Sequence, residues 1–257
     1  MRRDVLDLRE FYAQPLGAVV RDAIGRKLAE AWGPASGLDV LGLGYATPFL
    51  DRFPAARRTV AAMPAAQGVE SWPAQGRNRA ALVDEAALPF ANALFDRVLI
   101  VHGLEETDEP AALLGEVGRV MAPSGRMIVA AAARGGLWSR AERTPFGAGR
   151  PFTRRQLEEL VREADLEPVA WNQALYVPPF RLFTGWAEGF EQVGSKVWPG
   201  VAGVILLEAV KRTFAVKPKR ARARLVAPIP GVLAPAPTPV PAGMTRRKRL
   251  DRRSDQA

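Results

Sequence analysis

Apolar positions along the chain follow two rhythms in alternation. Over residues 16–31, Leu16, Val19, Val20, Ala23, Ile24, Leu28 and Ala31 recur on one helical face, and the stripe stops before Gly33-Pro34. Short apolar runs at 38–43, 58–63, 79–83, 95–101 and 125–132 instead have the length and residue types of buried strands. A helix is expected from about Thr47, and another after Pro110, with Leu113, Leu114, Val117, Val120 and Met121 turned inward. Strands separated by helices in this way predict an α/β fold, with a mostly parallel sheet covered on both faces.

The rhythm breaks at residues 133–152, a stretch rich in glycine and arginine. It resumes at Thr153, which has capping-box spacing to Gln156 and is followed by the stripe Leu157, Leu160, Val161 and Ala164. Two further strands are predicted within 167–179 and 203–214. Between them Phe183, Trp186, Phe190 and Val193 fall at helical spacing, a stripe that serves either as core or as a lid. No internal repeat is apparent.

At 257 residues and 48% hydrophobic content, the expectation is one sizeable core with appendages. The absence of cysteine excludes disulfides, thiolate nucleophiles and thiolate metal sites, and the single histidine excludes a histidine-based metal cluster. Chemistry must then use oxygen acids, one imidazole or an organic cofactor. The longest apolar runs, 98–101 and 201–207, fall short of the about 20 residues of a membrane span, and the N-terminus has no apolar core of a secretory signal. A cytoplasmic location is expected.

The net charge of +9 changes meaning once it is placed. From Lys217 onward there are 11 Lys/Arg and 2 Asp/Glu, so this segment holds the whole excess and the rest is neutral. Here two basic clusters, "KPKRARAR" and "TRRKRLDRR", flank a proline- and alanine-rich spacer that disfavours helix and sheet. Residues 217–257 are therefore expected to be a disordered tail, either simply solvated or in loose contact with nucleic acid or an anionic surface. The domain would span 1–216, with a helical cap at 1–35 and substrate-facing insertions at 133–152 and 178–198.

The first chemical signal is Gly42-Leu43-Gly44-Tyr45-Ala46, between a predicted strand and a predicted helix. Glycine there permits a sharp turn and close approach of a ligand. By itself the turn could hold a dinucleotide, an adenosyl cofactor or nothing. Further along stand Asp84, Leu88-Pro89-Phe90, Phe95-Asp96, His102, Leu104-Glu105, Glu109-Pro110, Glu116, Arg119-Val120-Met121 and Pro123-Ser124-Gly125. In order and spacing this segment, 83–132, closely resembles the centre of the class I S-adenosylmethionine-dependent methyltransferases, the group that includes the ubiquinone-biosynthesis type.

The resemblance implies a Rossmann-like fold of seven strands with an antiparallel last strand, and S-adenosyl-L-methionine as cofactor. By position, Gly42, Leu43, Gly44, Tyr45 and Ala46 would border its methionine and ribose parts. Asp84, with Glu85 beside it, would accept the adenine amino group, and His102 would lie near the methionine or the acceptor. Tyr12 resembles the N-terminal aromatic that closes over the cofactor. Two features depart from the pattern. Val40 stands where the first strand commonly carries an acid, with Asp39 one residue early and so on the opposite face. Met63 stands near the second-strand end, where an acid usually accepts the ribose hydroxyls, and Glu70 could reach back toward it.

The leading reading is a methyltransferase for a small-molecule acceptor, with His102 as first candidate base and Tyr12 and Glu105 behind it. Each residue also has a structural alternative: His102 as a satisfied packing histidine, Tyr12 as a core aromatic, and Asp96 as a strand-opening residue. Arg134, Arg140, Arg143 and Arg150 would be either anion contacts or a solvated loop. The rival reading is a non-catalytic scaffold with this fold that works through its basic tail. A nicotinamide dehydrogenase is a third.

Overall fold

The computed structural model describes residues 3–180, 185, 189–191, 193–194 and 201–212. The chain divides into two units, Met1–Phe214 and Ala215–Ala257. The second unit, and with it the expected tail, lies outside the described residues, as do Phe183 and Trp186.

The first unit opens with two helices, α1 (Val5–Ala13) and α2 (Pro15–Trp32), which meet at a tight corner. Asp4 caps α1 by accepting from the Leu6 amide, and Pro15 starts α2 at a position where its missing N–H costs nothing. Gly17 makes the corner possible, since a Cβ there would stand 2.1 Å from the Phe11 carbonyl oxygen and 2.6 Å from Tyr12 Cα. Val20, Ile24 and Leu28 are fully buried, each contributing about 1.5–3 kcal/mol of apolar transfer. Ala31, expected on this stripe, is exposed, and Trp32 takes the inward place while its indole N–H donates to Glu208.

Seven strands follow: β1 (Asp39–Gly44), β2 (Arg58–Pro64), β3 (Ala80–Val83), β4 (Phe95–Val101), β5 (Met121–Ala132), β6 (Leu166–Ala174) and β7 (Val204–Lys211). They form one sheet in the order β3-β2-β1-β4-β5-β7-β6. The β1–β5 pairs are parallel, and β7 runs antiparallel to both β5 and β6. This is the seven-stranded, mostly parallel architecture expected from the sequence. The chain order reverses at β1 and β4, and in open α/β sheets the crevice at the carboxyl ends of such strands is where ligands bind.

Period-two alternation sends successive residues of each strand to opposite faces. Val40, Met63, Leu99, Val101 and Ala130 pack with α1 and α2, whereas Leu41, Leu43, Ile100 and Val129 pack with α4 (Pro110–Val120) and α5 (Arg154–Glu163). Thr153 and Gln156 form the full capping box of α5. The helix expected from Thr47 is a single turn, α3 (Thr47–Leu50), cut short before Phe53-Pro54, and the 65–79 and 84–94 connections contain no helix. Met121, expected on α4, instead begins β5, four residues earlier than the predicted strand start. The extra length holds a register shift and Ser124 at φ +62°. Among the described residues no helix is long and apolar enough to cross a membrane.

Candidate cofactor and acceptor site

The turn after β1 is packed by the protein's own atoms. A Cβ on Gly42 would stand 2.7 Å from Ala46 Cβ and 2.8 Å from Leu50 Cδ1. Gly44 has φ +79°, and a Cβ there would fall 2.2 Å from the Val101 carbonyl oxygen, the same oxygen that accepts from the Tyr45 amide at 2.8 Å. Both glycines are thus required to seat the turn against α3 and the end of β4. Leu43 turns its side chain to the α4 face, leaving its backbone at the turn, while Tyr45 and Ala46 face α1.

α1 lies over this edge and is tied to it at several points. The Tyr12 hydroxyl and His102 Nε2 share a buried 2.8 Å hydrogen bond, and Tyr12 stacks on Tyr45 with centroids 5.7 Å apart. The Val5 amide donates to the Gln67 carbonyl, and Gln67 Nε2 donates to the His102 carbonyl at 3.1 Å. His102 itself has φ +50°, a conformation that is uncommon outside glycine and that turns its imidazole back beneath α1. Burial pushes the His102 imidazole down to about 3, with the Arg3 charge adding to the effect, so it is neutral at physiological pH. Burial likewise raises the Tyr12 phenol well above its ordinary value.

Glu105 completes this buried group. One carboxylate oxygen accepts from the Ala132 amide at 3.2 Å, while Oε2 is buried without a hydrogen-bond partner. Burial lifts its carboxyl to about 7. The 133–152 segment sits on top: the Arg150 amide donates to the Glu105 carbonyl, Gly149 packs so closely that a Cβ would meet Glu105 Cβ at 2.7 Å, and Phe146 lies 4.6 Å from the His102 ring. Arg134, Arg140, Arg143 and Arg150 are all exposed. Arg134 donates to the Pro151 carbonyl, and Arg150 lies over the Phe152 ring at 5.5 Å.

The acids of the edge divide into structural and accessible ones. Asp39 points away from the edge into a two-point ion pair with Arg57, at 3.0 and 2.7 Å, which holds its carboxyl below the usual range. Asp96 accepts from the Asp39 amide, the strand-opening role expected of it. Glu116 and Arg119 clamp the segment after β3: Glu116 accepts from the Leu88 amide, and Arg119 donates to the Leu88 and Phe90 carbonyls. Asp84 is exposed at the end of β3, with one carboxylate oxygen accepting from the Ala86 amide and Glu85 partly exposed beside it. Met63 is fully buried, and its sulfur accepts from the Glu70 amide at 3.5 Å. The Tyr45 hydroxyl donates to Glu70 at 2.8 Å. Sequence spacing gave no means of locating Gln67, which reaches the end of β4 from the loop after β2.

These groups suit an adenosyl cofactor. Asp84 and Glu70 offer carboxylate oxygens at the β3 and β2 side, able to accept from hydroxyl or amino groups of a ligand. Gln67 Oε1 and Glu105 Oε2, two buried oxygens without partners, flank the turn after β4 and would favour a cationic or hydrogen-donating ligand.

Comparison with known proteins agrees with this arrangement. Residues 38–129 match the family model described as a methyltransferase domain. Over 92 residues the chain is 38% identical to the ubiquinone/menaquinone biosynthesis C-methyltransferase UbiE of Paracoccus denitrificans, covering 32% of this chain and 35% of that protein. Over 47 residues it is 47% identical to the demethylmenaquinone methyltransferase of Renibacterium salmoninarum, covering 18% and 20% respectively. The similarity thus spans about a third or less of these relatives' own length. Among solved structures, an S-adenosylmethionine-dependent methyltransferase from Thermotoga maritima aligns with TM-score 0.54 at 16% identity, over 81% of this chain and 96% of that one. The [4+2]-cyclase SpnF aligns with TM-score 0.52 at 20% identity, over 74% and 81%. The chain carries the fold and the central segment of the class I S-adenosylmethionine-dependent methyltransferases.

Proposed function

We propose that this chain, built on the class I methyltransferase fold, transfers a methyl group from S-adenosyl-L-methionine to a small-molecule acceptor. The observation that carries the reading is the grouping of the β1 turn, Asp84 and the Tyr12–His102 pair at the carboxyl edge of one sheet, within the segment that matches the methyltransferase domain. The bound cofactor would supply an electrophilic methyl on a sulfonium. The protein's part is orientation, exclusion of water and handling of one proton.

In this reading Asp84 accepts from the adenine amino group, and Gly42, Leu43, Gly44, Tyr45, Ala46, Met63 and Glu85 border the cofactor. Gln67 Oε1 faces its charged end. The acceptor enters on the α1 and 133–152 side, where Phe146 and Tyr12 favour a flat or apolar molecule. His102, kept neutral by its surroundings, and Tyr12 form the proton-handling pair, with Glu105 as a third group beneath the same loop. The names of the curated relatives suggest a quinone precursor as the first acceptor to try. A cytoplasmic setting and a loose role for the basic tail at anionic surfaces complete the proposal.

Calorimetric titration of the purified full chain with S-adenosylmethionine tests it, with Asp84→Ala and NADH as comparisons. Micromolar binding to wild type, weakened in Asp84→Ala and absent with NADH, is the expected result. No binding of S-adenosylmethionine to the wild type would overturn the reading.

A further inference from the structure

A buried carboxamide, Gln67, joins three segments that are distant in sequence. Its amide donates to the Pro64 carbonyl at 2.9 Å, which closes the turn after β2. Its carbonyl accepts at 2.8 Å from the amide of Val5, the first residue of α1, and its side-chain Nε2 donates at 3.1 Å to the His102 carbonyl at the end of β4. A carbonyl oxygen can only accept, so this last bond fixes which way the carboxamide points and turns Oε1 away from His102. Gln67 is 1% exposed, and solvent offers no substitute for these bonds.

From the side of His102 the same contacts close a circuit. Val5 donates to Gln67, Gln67 donates to the His102 carbonyl, and the His102 ring shares its 2.8 Å hydrogen bond with Tyr12, which lies about two turns beyond Val5 on α1. The backbone and the ring of one residue are thereby each tied to one end of the same helix. His102 needs that support, because a residue with a side chain holds φ +50° only where its surroundings over-determine it. The preceding carbonyl, that of Val101, is engaged by the Tyr45 amide, so the restraint on the His102 carbonyl comes from Gln67.

We infer that Gln67 is the positioning residue of the site: it passes the docking of α1 to the end of β4, so that the His102 ring is held in one orientation only while both ends of α1 are seated. The inference deepens the proton-handling role proposed for His102 and takes its catalytic meaning from that reading. It also gives a reason for a carboxamide at this point. A leucine would fill much the same space but leave the His102 carbonyl without its donor, and a glutamate would set a carboxylate oxygen against a carbonyl oxygen.

His102 is the single histidine of the chain, so its ring can be read by long-range ¹⁵N–¹H NMR of the full chain without further assignment. Two variants test the circuit. Gln67→Leu removes the side-chain bond alone. Val5→Pro removes the amide donor at the first position of α1, where proline is tolerated and where Asp4 already has the extended backbone that suits the residue before a proline. Thermal melts establish that each variant is folded. Wild type should show one neutral tautomer. In Gln67→Leu the ring should move to a mixture of both tautomers, and the α1 amides should exchange about tenfold faster, the effect of one lost hydrogen bond. Val5→Pro should move both readouts in the same direction.

A folded Gln67→Leu whose ring spectrum matches wild type overturns the inference, since Gln67 then only packs. A folded Val5→Pro with an unchanged ring spectrum overturns it as well, because the end of β4 then does not depend on α1; this variant decides alone if Gln67→Leu fails to fold. A wild type that already shows the mixture of tautomers has the same consequence. Neither measurement uses the cofactor. Failure of wild type to bind S-adenosylmethionine removes the methyl-transfer reading and leaves the link between Gln67 and His102 standing, whereas an unchanged ring with normal cofactor binding does the reverse.

Discussion

The Tyr12 hydroxyl and His102 Nε2 meet at 2.8 Å across a sequence separation of 90 residues, joining the N-terminal helix to the end of the fourth strand. Both side chains are buried, so neither finds a water molecule as a substitute partner. Tyr12→Phe keeps the ring and leaves a buried nitrogen unpaired. The variant should lose about 1–3 kcal/mol of stability in urea unfolding. An unchanged midpoint and slope would show that the bond does not hold α1 in place.

Glu105 and His102 respond oppositely to pH. His102 is depressed from 6.5 to about 3, so its contribution is present above pH 6.5 and lost as pH falls toward 3. Glu105 is raised from 4.5 to about 7, so its contribution is present below pH 4.5 and lost as pH rises through 7. Glu105→Gln removes only the second effect. Between pH 4.5 and 7 the variant should gain on wild type with rising pH, by up to about 3 kcal/mol, as read by thermal melts across that window. A pH-independent difference would place the Glu105 carboxyl in contact with solvent.

Gly44 and Gly115 separate backbone demand from helix propensity. Gly44→Ala puts a methyl 2.2 Å from the Val101 oxygen at a positive φ and should destabilise by several kcal/mol or prevent folding. Gly115 lies inside α4 with open space around its Cβ position, and Gly115→Ala should stabilise by about 0.5–1 kcal/mol. Urea unfolding of the two variants checks both signs. Substitution of Gly44 is therefore a poor probe of cofactor contact, since loss of fold would mask it.

Arg119→Ala tests whether the motif shared with the methyltransferases at this point is a clamp. It removes donors to the Leu88 and Phe90 carbonyls, to Asn92 and to Glu116. A loss of about 1–3 kcal/mol is expected, with faster amide hydrogen exchange confined to residues 88–94 and α4. Uniformly faster exchange throughout the sheet would assign Arg119 a global role instead.

The sequence was most legible where a local pattern and the final environment agree. The positions of the strands along the chain, the Thr153–Gln156 capping box and the Pro110 helix start follow from residues within a few positions of one another. The single-turn α3 was less legible, because the apolar residues Phe49, Leu50 and Phe53 satisfy a helical pattern while serving as packing for Gly42, Trp32 and Tyr12. Asp39 could be placed on the wrong face for a ligand from period-two geometry alone, but its partner Arg57 could not. Gln67, Glu70 and the orphaned oxygen of Glu105 depend on how loops fold back over strand ends. That tertiary outcome has no periodic signature, and it is where most of the candidate site resides.

The strand that leads into Asp84 is also the most sparsely supported part of the sheet. β3 has four residues, pairs on one side only, leaves Leu82 51% exposed and has no helix in the connection on either side of it. Such a margin undocks locally at far lower free energy than the strands at the centre. A ligand gripped there recognises only the docked form, and its apparent affinity is scaled by the fraction of molecules in which β3 is docked. Substitutions that merely lengthen or cover this margin would then tighten binding without touching the ligand.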